Sequence, residues 1–142
     1  MKRGEIWWAD LPLPTGHRPV VLISRDEAYI HRDFVTVAPV SRRVRAIPVE
    51  VPLGPEDGLP KNCAANLDSM TTIPKNLLQR YITDLGFSKL QAVDSAIHFA
   101  LRLASLNLPV HNLGSTLAKD IMDADPFDYA SLVKRLAAFF ID

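Results

Sequence analysis

Two short segments of this sequence carry residue types that could do chemistry at a phosphate. Arg18 lies in Gly16-His17-Arg18-Pro19, immediately before the apolar run Val20-Val21-Leu22-Ile23. A strand beginning there would aim the guanidinium rigidly, and its five fixed N–H donors match a phosphate group. The second segment is Val40-Ser41-Arg42-Arg43-Val44-Arg45, at the end of another strand-like run. It supplies a hydroxyl and three guanidinium groups, enough for a phosphate-tracking patch. Taken alone, each segment is more often a solvated surface than a site.

Other catalytic signatures are missing. The sequence has no P-loop, GxGxxG, GxSxG or HExxH pattern. His17, His31, His98 and His111 are too far apart to show ligand spacing, so neither a metal site nor a cofactor is expected. His31 reads as a solvated loop residue and His98 as part of a helix. Cys63, next to Asn62 and Ala64, reads as a small core residue rather than a nucleophile, and a single cysteine excludes an internal disulfide.

The elements that must position Arg18 and Ser41 follow from the pattern around them. Eight of eleven prolines fall in the first sixty residues, which disfavours long helices there. Residues 5–11, 19–24, 34–40 and 47–53 are β-rich and separated by turn formers, and 63–67 and 80–85 add two shorter extended runs around an Ile73-Pro74-Lys75-Asn76 turn. Many short strands with tight connections imply a small, strongly curved sheet or open barrel. After Gly86 the period changes. Ser88 with Gln91 forms a capping-box pattern, and Leu90, Val93, Ile97 and Leu101 mark an amphipathic helix over 88–104. The adjacent Trp7 and Trp8 must face opposite sides of their strand. One is expected in the core and the other at a dimer interface or a ligand-facing surface.

The chain has 142 residues, suited to one domain with an appendage. Sixteen basic residues balance sixteen acidic ones, which excludes an overall basic nucleic-acid wrapper. The neutrality conceals an asymmetry of +2 over residues 1–103 and −2 over 104–142. Apolar runs are too short to span a membrane, and Met1-Lys2-Arg3-Gly4-Glu5 is not followed by the apolar stretch of a signal peptide. A soluble, cytoplasmic protein is expected.

Lys2-Arg3-Gly4-Glu5-Ile6-Trp7-Trp8-Ala9-Asp10-Leu11, followed by Gly16-His17-Arg18-Pro19-Val20-Val21-Leu22-Ile23-Ser24, closely resembles the opening of the MazF/PemK toxin family. Val35–Ser41 and Asn66–Pro74 resemble that family's later segments, so the likeness runs in order over residues 1–103. It implies an α+β fold: an SH3-like small β-barrel that dimerises, followed by a C-terminal helix. It also implies metal-independent cleavage of single-stranded mRNA at short motifs, and inhibition by a cognate antitoxin. By position, Arg18 matches the family's catalytic arginine and Ser41 falls where a supporting threonine is common. Asp68 and Ser69 fall on the base-contacting segment, with Ser69 in place of a longer polar residue. Arg42, Arg43 and Arg45 are candidate RNA-backbone contacts. The Pro12–His17 loop is shorter than the flap that relatives often carry.

The residue types suit that chemistry independently. A ribose 2′-hydroxyl attacking its own phosphate needs a proton acceptor, a proton donor for the leaving 5′-oxygen and stabilisation of extra negative charge. Arg18 and Ser41 can stabilise charge. Arginine stays protonated and makes a poor base, whereas an imidazole titrates near neutrality. His17 is therefore a candidate base, with an exposed loop histidine as the equal alternative. The products would be a 2′,3′-cyclic phosphate and a 5′-hydroxyl. Two other functions compete: a gyrase-binding toxin of the CcdB type, and an inactive barrel-shaped RNA-binding or interaction module.

Residues 104–142 extend past the resemblance as an acidic segment with helical signals. Leu132, Val133, Leu136 and Phe140 call for burial, which makes a packing extension the plain expectation. A sharper one starts from Asp120, Asp123, Asp125 and Asp128 around Phe127 and Tyr129, an acidic, aromatic stretch that a basic groove would accept as a built-in inhibitor. Truncation after residue 103 separates the two. Self-inhibition requires a soluble fragment that cleaves RNA faster than the full chain; a folded fragment that is no faster leaves the tail a structural role.

Overall fold

A computed structural model describes residues 1–103; the tail expectations for 104–142 lie outside the described residues. Seven strands are formed: β1 (Glu5–Asp10), β2 (His17–Leu22), β3 (Phe34–Ser41), β4 (Glu50–Leu53), β5 (Cys63–Asn66), β6 (Thr71–Pro74) and β7 (Leu78–Asp84). A short helix α1 (Asp26–His31) joins β2 to β3, and α2 (Phe87–Leu101) follows β7. The antiparallel order is β4-β5-β3-β2-β1-β7, with β6 also paired to β3. β3 is the hinge of this arrangement. Its first half pairs with β6 and its end with β5, while its other edge holds β2. The ladder does not close between β4 and β7, so the expected barrel is a strongly curved open sheet and the α+β class holds.

Strong curvature lets the central strands bury both faces, which explains why Val20, Val21 and Leu22 are all fully buried in succession. Ile6, Val21, Ala38 and Val40 pack with Val51, Leu53 and Leu67 under α2, whose Val93 and Ala96 close that core. Ala9, Val20, Leu22, Val35, Val37 and Ile73 form a second core, together with Tyr29 from α1.

Several expectations are corrected here. Helix α2 begins at Phe87 with Gly86 as N-cap and no side-chain cap, so the Ser88–Gln91 capping box does not form. It ends at Leu101, where Arg102 turns left-handed at φ 50°. The apolar stripe centres on Val93 and Ala96, leaving Leu101 exposed. Thr71–Pro74 is a strand, not the approach to a turn: Phe34 pairs with Pro74 and Val35 with Ile73. His31 is exposed as expected but ends α1 rather than lying in a loop. Trp7 and Trp8 do diverge, yet both are half-buried. Trp7 packs edge-on to Tyr81 at 6.1 Å, while Trp8 lies flat on His17.

Candidate active site

The register between β2 and β3 organises the site. Val20 pairs with Pro39, Val21 with Ala38 and Leu22 with Val37. Continued two residues toward the open end, that register sets Arg18 across from Ser41. Because side chains alternate along a strand, Arg18 follows the face of Val20 and Leu22, while His17 and Pro19 follow that of Val21. The Arg18 side chain is partly buried, and its Nε donates to the Thr15 carbonyl at 2.9 Å. That bond fixes the head of the side chain and leaves both Nη groups for a ligand. Ser41 is likewise partly buried, and its Oγ accepts from the Arg43 backbone N–H at 3.1 Å. With the oxygen's acceptor side engaged, the hydroxyl proton is free to be donated.

Arg18 and Ser41 stand on the wall between two clefts and line both. The larger, about 750 Å³, also takes in Trp8, His17, Arg42, Lys61, Arg80 and Tyr81. Its charged lining is wholly basic apart from the titratable tyrosine and histidine, so the neutral composition hides a positive surface. Cys63 lines it too. Burial, reinforced by the nearby Asp57 and Glu56 carboxylates, pushes its thiol pKa up, which keeps it protonated and a poor nucleophile.

The smaller cleft, about 430 Å³, contains Arg43, Arg45, Ser69, Asn66 and Glu50 beside the Arg18–Ser41 wall. The expected arginine patch is therefore divided: β3 ends at Ser41, Arg42 serves one cleft, and Arg43 with Arg45 the other. Ser69 lines this second cleft. Asp68 is exposed next to it and lines neither; its backbone N–H donates to Asn66 Oδ1 at 3.0 Å. Among the described residues no group of three or more His, Cys, Asp or Glu could hold a metal ion.

Sequence patterns had not singled out Glu50 or Asp10. Glu50 has a side chain only 3% exposed, and its carboxylate accepts the Arg45 backbone N–H at 2.7 Å with the Arg45 guanidinium at 3.9 Å. It ties down the chain that leaves β3, where Ala46 adopts φ 55°. Its signal in the sequence was a lone charge inside an otherwise apolar run. Asp10 pairs across the hairpin with His17. It was legible only as the residue facing His17 over a short loop.

The family model described as the PemK-like, MazF-like toxin of type II toxin–antitoxin systems matches residues 2–101. This chain belongs to that family. It is 34% identical over 100 residues to the probable endoribonuclease MazF5 of Mycobacterium tuberculosis, covering 70% of this chain and 91% of that relative. Among solved structures, Mycobacterium tuberculosis toxin MazF-mt6 superposes with a TM-score of 0.66 at 34% identity, over 71% of this chain and 99% of the other. An endoribonuclease from a Mycobacterial species, solved in complex with its cognate antitoxin, gives a TM-score of 0.66 at 25% identity, over 74% and 98%. These likenesses cover the sheet and α2, the region that builds both clefts.

The Glu50 contact makes a stability prediction. Glu50→Ala removes a buried, charged acceptor from a part-buried backbone N–H and should cost roughly 1.5–3 kcal/mol. Arg43→Ala, an exposed change in the same cleft, should stay within about 0.5 kcal/mol. Urea denaturation of both variants checks the contrast, and equal losses would contradict it.

Proposed function

We propose that this chain is the toxin of a type II toxin–antitoxin pair and cuts single-stranded RNA, mRNA in the cell, as a metal-independent endoribonuclease. The observation that carries this is that Arg18 and Ser41 both line the wall shared by two clefts rich in basic residues. A strand of RNA crossing that wall would have its scissile phosphate at the pair and its flanking nucleotides in the clefts. Ser69 and the adjacent Asp68 lie where bases on the Arg43–Arg45 side would be read, and Trp8 and Tyr81 offer stacking surfaces on the other.

The step is an internal transesterification. The 2′-hydroxyl gives its proton to His17 as its oxygen bonds to phosphorus. The bond from phosphorus to the 5′-oxygen breaks, and that oxygen takes a proton from solvent. Both Nη groups of Arg18 and the Ser41 hydroxyl meet the non-bridging oxygens, where negative charge accumulates. Arg42 and Arg43 bind the flanking phosphates, while Arg45 is partly committed to Glu50. The charge of the clefts suits an acidic antitoxin segment that competes with RNA. The working assembly in this reading is a homodimer in the cytoplasm. A gyrase-binding role of the CcdB type has no use for an arginine and a free hydroxyl facing one another, which favours the nuclease.

Arg18→Ala should lower turnover on unstructured RNA by at least about two orders of magnitude, the scale of one lost transition-state contact. Ser41→Ala should cost less, because water partly replaces a hydroxyl. Both rates are to be measured in EDTA, where the unmodified chain should be fully active. Normal turnover by Arg18→Ala, or activity lost in EDTA and restored by a divalent metal, would overturn the proposal.

A further inference from the structure

Asp10 and His17 form the last cross-strand pair before the β1–β2 loop. His17 Nδ1 lies 2.5 Å from Asp10 Oδ1. The imidazole is also stacked on the Trp8 indole, with centroids 4.8 Å apart and planes within 3°. These two contacts restrain different motions. The indole fixes the plane of the ring, and the carboxylate fixes its rotation within that plane. His17 and Asp10 are both more than half exposed, and an ordinary surface ion pair at that exposure contributes little to stability. So complete a restraint on an exposed ring has a use only if the orientation of the free nitrogen matters.

We propose that Asp10 is a positioning residue that holds neutral His17 in the Nδ1–H tautomer, so that Nε2 presents its lone pair to the cleft shared with Arg18 and Ser41. This rests on the assignment of His17 as the base. A neutral imidazole has one donor nitrogen and one acceptor. A carboxylate can only accept, so the nitrogen facing Asp10 must carry the proton, and the other becomes the acceptor for the 2′-hydroxyl. Once that proton has moved, the imidazolium faces a carboxylate, and the new positive charge is matched where it forms. The same division of labour between carboxylate, imidazole and hydroxyl operates in hydrolytic triads on unrelated folds. Asp10 touches neither the RNA nor the reacting atoms; it acts through His17.

The full chain carrying Asp10→Asn, His17→Gln, or both tests this. An amide in place of the carboxylate can donate to Nδ1 and release the tautomer. Asp10→Asn should lower kcat on a short RNA by about 10- to 100-fold, part of the usual contribution of a positioned base, with KM changed less than twofold. In the His17→Gln background the same change should have no further effect. Imidazole ¹⁵N shifts of neutral His17 should report Nδ1–H in the unmodified chain and move toward Nε2–H in Asp10→Asn, a signature that a merely structural contact would not produce. Asp10→Glu should recover part of the lost kcat. A slow His17→Gln beside a full-rate Asp10→Asn, an unchanged tautomer, or additive losses in the double variant would overturn the role of Asp10 alone. Full activity of His17→Gln would overturn the base assignment and this inference with it.

Discussion

The site depends on the register between β2 and β3. Val20 and Leu22 belong to one core and Val21 to the other, all three with no exposed surface. A slip of one residue would send every side chain of β2 to the opposite face. Val20 and Leu22 would exchange cores with Val21, and Arg18 would turn away from Ser41. Burial of three aliphatic side chains on two faces thus enforces the orientation of a guanidinium two residues beyond them. Hydrophobic packing supplies the rigidity, and the open end of the hairpin supplies the access. Arg18 needs only one further restraint, the bond from Nε to the Thr15 carbonyl.

The same constraint divides labour around the wall. Alternation sends Arg18 and Ser41 one way and His17 and Arg42 the other, yet at the end of the strands the first pair reaches both clefts. The smaller cleft holds the carboxylate of Glu50, the larger holds none but includes the imidazole that Asp10 contacts, and the two carboxylates act on different groups. Glu50 is buried and fixes backbone, holding the arginine-bearing segment after β3. Asp10 is exposed and fixes an imidazole. The formal charge of zero is therefore uninformative about the surface that matters, since the acidic residues of the described chain are largely elsewhere or engaged.

Much of this was legible in the sequence because the signals were local. β-rich runs between turn formers located most strands of the curved sheet, and Arg18 stood out by preceding Val20-Val21-Leu22. What escaped was set by partners distant in sequence. Helix α1 has six residues, too few for an apolar period to show, and it forms because Ala28 and Tyr29 find a core. Thr71–Pro74 ends in a proline and resembles a turn until Phe34–Val37 supplies the ladder. The capping-box pattern at Ser88 was overridden by a helix that starts one residue earlier, at Phe87. The arginine run reads as one patch, but the end of β3 at Ser41 splits it between two clefts. Asp10 and Glu50 carried no motif at all; only pairing across a hairpin and burial reveal them.

The most direct test of the central claim, that the Arg18–Ser41 wall promotes attack by the 2′-hydroxyl, is the chemical identity of the ends left on a long RNA of mixed sequence cut in EDTA. The expected result is a recurrent short cleavage motif with a 5′-hydroxyl on every downstream fragment and a 2′,3′-cyclic phosphate on every upstream one. Fragments bearing 5′-phosphates would mean that water, not the neighbouring hydroxyl, is the nucleophile, and would contradict the role given to the pair.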